Sequence, residues 1–360
     1  MKILHLPRSV GSNAYNLSIG EKKNGEDSTV LICDPDIYSN ESEADLIFPV
    51  KKNNKLTYLY QGVRLLLFLV FRTKKYDVLH YNFGSPVFFF DSKLLFGLDV
   101  RLFKKLNKVI AVTYQGSDAR QADYCLEHYD NTFYTPEDVC CQRKKDRMKR
   151  YKIEFFEKNS DIMYGTNPDL LNILPEKAKF RPYTKLQPYE WQPCYSDYSR
   201  KKTVILHAPT HKKVKGTEHV DAAIERLKNE GYDIEYLLLQ NIPTTQVIEY
   251  YKRADIAVDQ LMVGFYGGFA VECMAMGKPV MCYIRQQDMK WIPEEMAKDM
   301  PIIRVTKEDL YEKLKYYIEH KEELENIARK SRQYVEKWHD PEKIAKDIIE
   351  DYKNAMENKK

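Results

Sequence analysis

The residues best suited to chemistry lie in two stretches of the second half of the chain. From Val258 to Val280 an apolar strand ends, a loop bearing Gly264, Gly267 and Gly268 follows, and a helix opens near Gly268. Gly277 is expected to stop that helix and Pro279 to lead into the next strand. Glycines just ahead of a helix let a phosphate approach unbonded backbone N–H groups and the positive end of the helix dipole. Glu272, one turn inside, is placed to accept hydrogen bonds from ribose hydroxyls. A tight strand–helix turn with a solvent-facing glutamate fits the same residues. The second stretch, Thr203 to Thr217, reads as a strand, then a basic loop with Lys212, Lys213 and Lys215, then a helix capped by Thr217. Cations at a helix N-terminus oppose the dipole, so such a loop wants an anion, and a diphosphate supplies one. A solvated basic loop is the plainer reading.

Short apolar runs alternating with amphipathic stretches must position these residues, and that alternation is the pattern of parallel α/β sheets. Strands are expected near Lys2–Leu6, Thr29–Cys33, Val78–Tyr81, Val109–Thr113 and Asp161–Tyr164, and in the second half near Thr203–His207, Glu235–Leu239, Ile256–Val258 and Pro279–Tyr283. Helices are expected over Asn13–Lys23, Leu56–Phe71, Lys93–Leu106, Lys144–Lys158, Glu218–Asn229, Thr244–Arg253 and Phe269–Met276. The tail from Lys307 reads as helical, broken at Asp340-Pro341, where proline can open a new helix. The fold class is therefore α/β, with a first domain over 1–181 and a Pro-punctuated linker over 182–200. A second domain covers 201–338, and a terminal helix covers 339–360. Two doubly wound domains of this kind offer a cleft at the carboxyl ends of their strands.

Composition narrows the function. The net charge is +4, from 57 Lys and Arg against 53 Asp and Glu, too small to argue for nucleic acid. The longest apolar run, Leu65 to Phe71, falls far short of the roughly 20 residues a spanning helix needs. The opening residues do not read as a signal peptide. Of seven irregularly spaced cysteines, several lie in apolar runs, which suggests buried thiols in a reducing compartment, and the chain is read as cytoplasmic.

Together the two stretches resemble glycosyltransferase family 4, the group 1 transferases. That family carries a basic loop with Lys-Gly and a motif reading E-x-F-G-x-x-x-x-E-A-M-A-x-G-x-P-V. Lys215-Gly216 matches the former, with Lys212 at the arginine position. Tyr266-Gly267, Glu272 and Met274 to Val280 match the latter. In the first half, Tyr76-Asp77-Val78-Leu79-His80 and Gln115-Gly116-Ser117-Asp118-Ala119-Arg120 resemble the family's YDV-x-H and HGSD-x-R strand ends. The resemblance implies a GT-B fold: two Rossmann-like domains facing each other across a cleft, the first binding acceptor and the second the nucleotide sugar. The terminal helix would cross back to the first domain. It implies transfer with retention and without a metal, Lys212 and Lys215 stabilising the leaving diphosphate. His80 and Gln115 join them as catalytic candidates. Glu272, Gly267, Gly268, Gly264, Lys213, Gly11, Asn241 and Ile242 form the donor-binding set, the last two where such folds hold the base. No cofactor is expected. Two departures stand out: Gly264 replaces the motif's first glutamate, and Gln115 replaces a histidine.

Other signals read more plainly. Asp34-Pro35-Asp36 has metal-binding spacing but fits a turn. Cys125, His128, Cys140 and Cys141 match no zinc spacing. The helix Leu56–Phe71, with Arg64, Arg72, Lys74 and Lys75, reads as a core helix with a solvated end. An interfacial contact with anionic lipid is its functional alternative, at the inner face of the membrane. The expected partners are a nucleotide sugar and a glycan or lipid-linked acceptor, in cell-surface polysaccharide synthesis. The rival readings are a sugar-nucleotide epimerase and a non-catalytic subunit that binds nucleotide sugar or glycan.

Overall fold

The computed structural model describes residues 1–33, 41–48, 55–88, 96–240, 242 and 244–359. The chain begins with β1 (Lys2–Leu6), α1 (Asn13–Lys23), β2 (Asp27–Cys33), β3 (Leu46–Phe48), α2 (Lys55–Arg72), β4 (Val78–Asn82), α3 (Leu98–Lys105) and β5 (Val109–Tyr114). Then come α4 (Ala122–His128), α5 (Pro136–Asn159), β6 (Ile162–Gly165), β7 (Ala178–Phe180), β8 (Thr203–His207), α6 (Lys212–Lys215), α7 (Thr217–Asn229), β9 (Ile234–Leu238) and α8 (Thr244–Arg253). It closes with β10 (Ile256–Val258), α9 (Gly268–Ala275), β11 (Val280–Cys282), α10 (Glu294–Asp299), β12 (Ile303–Arg304), α11 (Leu310–Glu319), α12 (Glu322–Trp338) and α13 (Pro341–Glu357). Two compact units result: Met1–Gln121 with Cys140–Leu186 and Asp340–Lys360, and Ala122–Val139 with Gln187–His339.

The first unit holds a seven-stranded sheet in the order β3-β2-β1-β4-β5-β6-β7, paired in parallel throughout. Every residue of β4 and β5 is buried, as expected of parallel strands covered on both faces. One cover is α13, whose Ile344, Ala345, Ile348, Ile349 and Tyr352 pack on Ile3, Val78, Val109 and Ile162. It starts cleanly because Asp340 accepts a hydrogen bond from the Glu342 amide while Pro341 takes the first helical position. Helix α1 crosses it so closely that a Cβ on Gly20 would lie 2.2 Å from the Pro341 carbonyl oxygen.

The second unit holds a five-stranded parallel sheet, β12-β11-β10-β8-β9. From β8 the chain moves to β9 on one side and later to β10 on the other. The loops after β8 and β10 therefore lie at the topological switch point, where open α/β sheets bind ligands. Helix α9 ends as its sequence demands: Gly277 has φ 70°, its amide bonds the Met274 carbonyl at 2.9 Å and the Lys278 amide bonds that of Cys273 at 2.9 Å.

Several details depart from the sequence expectation. Residues 122–139 cluster with the second unit, not with the rest of 1–181, and the unit boundary falls after Leu186. Residues 187–200 of the expected linker belong to the second unit, where Arg332 donates to the carbonyls of Pro188 at 2.9 Å and Trp191 at 2.5 Å. Strands β3, β7 and β12 are too short to show a period. Helix α5 begins eight residues before the expected Lys144, at Pro136. The tail breaks between α11 and α12 as well as at Asp340. Cys140 and Cys141 are exposed, against the expectation of buried thiols.

Candidate functional site

Asp259, the first residue past β10, organises the switch-point loops. It is fully buried and its amide is held by the Met281 carbonyl at 2.8 Å. One carboxylate oxygen pairs with the Lys215 ammonium, and the other accepts the Gly267 amide at 2.7 Å. Lys215 is itself buried, at the end of the short helix α6. A buried carboxylate thus ties the loop after β8 to the start of α9. Lys215, expected in a basic loop, sits at the end of a short helix and is paired, and the Gly267 N–H, expected to face phosphate or sugar, is engaged by the same carboxylate. Gly268 begins α9 and is half-buried.

The neighbouring cations differ. Lys212 is exposed at the start of α6. Lys213 pairs with Asp138 at 2.6 Å, which pulls that carboxyl down to about 2. Thr217 is not a cap: Gly216 precedes α7 with φ 69°, and the Thr217 hydroxyl meets His207 Nε2 at 2.9 Å. His207 Nδ1 lies 2.8 Å from the Val258 carbonyl, so Nδ1 carries the proton and Nε2 accepts from threonine. Burial lowers the His207 pKa to about 4, keeping the ring neutral.

Glu272 is half-buried and accepts from the Tyr251 hydroxyl at 2.8 Å. Its carboxylate lowers the acidity of that phenol, adding to burial in raising the Tyr251 pKa. Gly264 cannot host the motif's glutamate as packed here, because a Cβ would fall 2.5 Å from Arg285 Cβ. Arg285 is in turn paired with Asp288 at 2.8 Å, stacked over Tyr129 at 3.5 Å from the ring centre, and bonded to the Asn131 carbonyl at 3.2 Å. The segment 122–139 is thereby fastened to the loops around β10, and the Asn131 amide adds a bond to the Leu261 carbonyl at 2.6 Å. Ile242 follows β9, which ends one residue earlier than expected, and is half-buried; Asn241 lies outside the described residues.

In the first unit a second cluster gathers at strand ends. Gln115 follows β5; its amide and that of Gly116 bond the Asp118 carboxylate at 3.0 and 2.7 Å. Asn13 reaches the Gln115 side chain at 3.5 Å and the Gly11 carbonyl at 3.4 Å, bringing Gly11 to the same place. Asn167, after β6, donates to the Gln115 carbonyl at 2.8 Å and meets the Tyr183 hydroxyl at 2.6 Å. Gln115 Nε2 and Asn167 Oδ1 have no hydrogen-bond partner among the described residues although both are buried. Asn13 was read only as the start of a helix, and Asn167 escaped notice because a lone asparagine after a strand looks like a turn residue.

His80 does not belong to this cluster. It is fully buried within β4, with Nδ1 2.5 Å from the Tyr352 hydroxyl and Nε2 2.6 Å from Thr113 Oγ1. Burial drives its pKa well below the ordinary histidine value. With both nitrogens taken it is a structural histidine, correcting its candidacy as a catalytic group.

Asp34-Pro35-Asp36 lies outside the described residues. Cys125 is buried, His128 turns to the Tyr124 carbonyl at 3.0 Å, and no group of three or more His, Cys, Asp or Glu among the described residues could hold a metal. No described helix is long and apolar enough to cross a membrane. A surface hollow lined by Ser196, Arg200, Lys321 and Glu325 sits before β8, at the opposite strand end from Asp259.

Residues 211–350 match the family described as Glycosyl transferase-like. No curated protein sequence matches the chain. Among solved structures, sucrose-phosphate synthase from Thermosynechococcus elongatus aligns with a TM-score of 0.62 at 15% identity, over 99% of this chain and 100% of that one. HepE from Anabaena, in complex with UDP and glucose, aligns with a TM-score of 0.63 at 12% identity, over 97% and 98%. UDP-GlcNAc 2-epimerase from Neisseria meningitidis, bound to UDP-GlcNAc, aligns with a TM-score of 0.52 at 14% identity, over 97% and 99%. The chain therefore has the GT-B fold, and its segment 211–350, which carries Lys212, Lys215, Asp259, Gly267 and Glu272, matches the model of a glycosyl transferase-like family.

Proposed function

We propose that this protein is a glycosyltransferase that moves a sugar from a nucleoside-diphosphate sugar to a glycan or lipid-linked acceptor in cell-surface polysaccharide synthesis. The observation that carries the proposal is the junction of Lys215, Asp259 and Gly267 at the β8–β10 switch point, inside the family-matched segment. Two structural relatives were solved with UDP or a UDP sugar, which makes UDP the first nucleotide to test.

In the proposed reaction Lys212 and Lys215 stabilise charge building on the departing diphosphate. The anomeric C–O bond to the diphosphate breaks as the acceptor oxygen bonds the same face. The leaving phosphate oxygen takes the acceptor's proton, giving retention without a metal. Glu272 holds ribose hydroxyls, and Gly268 offers a backbone donor at the α9 N-terminus. The enzyme acts on the cytoplasmic side, peripherally at an anionic membrane where a lipid-linked acceptor is presented.

A thermal-shift screen against UDP-, GDP-, ADP- and CDP-sugars without metal tests the donor site. A ligand at about 100 times its Kd stabilises by about 2.7 kcal/mol. Glu272→Ala should remove that shift and leave the ligand-free transition in place; an unchanged shift would refute this placement of the donor. The second reading, a non-catalytic subunit binding nucleotide sugar or glycan, is favoured by the crowding of Gly264 against Arg285. Nucleotide binding without product, across a panel of acceptors, would select it.

A further inference from the structure

Helix α2 is apolar on two opposite faces. Leu65 and Leu69 are buried and point into the first unit's core, where Leu79, Phe103 and Val112 also lie. On the far side Tyr60, Val63, Leu67 and Phe71 are 63, 48, 50 and 71% exposed. Their spacing places these four within one narrow arc of the helix. The stripe continues onto the sheet edge, since Arg64 spans Phe48 of β3 and Tyr60 at 5.6 and 5.9 Å, and Leu46 and Ile47 are exposed. A helix in water ordinarily turns a polar face outward, and a contiguous exposed apolar stripe marks an interaction site.

Charge selects the partner. From Lys51 to Tyr76 the sequence carries seven cations (Lys51, Lys52, Lys55, Arg64, Arg72, Lys74 and Lys75) and no acid. That exceeds the +4 of the entire chain, so the remainder is net acidic. Arg64, Lys74 and Lys75 are exposed beside the stripe. A protein partner would call for an acidic, apolar groove. A bilayer with anionic headgroups meets both features at once, with apolar side chains entering the headgroup–acyl boundary and lysines binding phosphates.

We propose that the outer face of α2, with the edge of β3, docks this protein on an anionic lipid bilayer, Leu67 and Phe71 inserting while Arg64, Lys74 and Lys75 bind headgroups. The proposal rests on the membrane part of the preceding reading and not on its transfer chemistry. Co-sedimentation of the full chain with phosphatidylcholine vesicles, with and without phosphatidylglycerol, tests it. The wild type should sediment only with phosphatidylglycerol present and be released by salt. Leu67→Glu/Phe71→Glu and Lys74→Glu/Lys75→Glu should each stay in the supernatant, with circular dichroism unchanged. Failure of the wild type to sediment would overturn the proposal, as would equal binding to pure phosphatidylcholine or sedimentation indifferent to both variants. A lipid-free dimer abolished by Leu67→Glu/Phe71→Glu would assign the face to a second copy instead. Nucleotide-sugar thermal shifts on the same variants separate the readings: vesicle binding without any nucleotide shift leaves docking intact and counts against the transferase.

Discussion

Both units release a parallel sheet into polar loops, yet they differ in how completely the polar groups are matched. Past β10 they are charged and matched, with buried Asp259 bridging Lys215 and the Gly267 amide. Past β5 and β6 the amides of Gln115 and Asn167 sit beside buried Asp118 and the Arg120–Asp169 pair at 2.5 Å, and two amide atoms, Gln115 Nε2 and Asn167 Oδ1, lack partners among the described residues. A buried charge is tolerable only when compensated, which is why Asp259 and Lys215 stand as a pair. Buried amides cost less when unmatched and can serve a neutral hydroxyl.

The sharpest way to break this contrast is to remove the bridging carboxylate. Asp259→Ala leaves Lys215 buried and alone, and should destabilise the second unit by about 3–5 kcal/mol. All three tryptophans, Trp191, Trp291 and Trp338, lie in that unit, so urea unfolding followed by tryptophan fluorescence reads it directly. A loss below about 1 kcal/mol would mean that the bridge does not organise these loops.

The next effect concerns the histidine behind the charged cluster. His207 has a folded pKa of about 4 against an ordinary value of about 6.5, so the unfolded chain binds its proton first as pH falls. Stability is then complete above about pH 6.5 and declines toward pH 4, by about 3 kcal/mol. His80 in the first unit is shifted in the same direction by burial. Urea midpoints by tryptophan fluorescence at neutral and mildly acidic pH should differ accordingly, and His207→Asn should flatten the difference. A slope that survives this substitution would place the proton elsewhere.

The charged cluster was far more legible in the sequence than the amide one. Lys215-Gly216, Gly267 and Glu272 stand at spacings imposed by a strand, a tight loop and a helix start, which local sequence encodes. Helix α1 came out at its expected bounds, Asn13–Lys23, and β8 and β10 at theirs, because each is a clean apolar or amphipathic run between breakers. The Lys215–Asp259 pair was not legible as a pair, because 44 residues separate its members. Nor was the fate of His80, which depends on Tyr352 at a sequence distance of 272. The attachment of 122–139 to the second unit depends on Arg285 stacking over Tyr129, a long-range contact with no local signature.

Gly264 tests whether the missing glutamate could be restored. Its Cβ would clash with Arg285 Cβ and Nη1 at 2.5 and 2.7 Å, so Gly264→Ala should cost about 1–3 kcal/mol in the tryptophan-monitored transition. Because the nearest atom is Cβ, Arg285→Ala should not relieve that cost, whereas Arg285→Gly should reduce it. Full tolerance of Gly264→Ala would show that the loop yields and that the glutamate's absence is not enforced by packing.

The smallest effects separate structure from recognition in the amide cluster. Asn167→Ala removes bonds to the Gln115 carbonyl and to Tyr183, leaving the Gln115 carbonyl unmatched, and should destabilise the first unit by about 1–3 kcal/mol. Gln115→Ala discards a side-chain nitrogen that has no partner among the described residues and should cost less, on the order of 1 kcal/mol or below. Hydrogen exchange in β5 and β6 reads both. If Gln115→Ala proved the more damaging, the orphaned nitrogen would have a structural partner, and the first unit's cluster would be as closed as the second's. If it proved the milder and lowered glycan affinity with exchange unchanged, the unmatched amide would be acting on ligand.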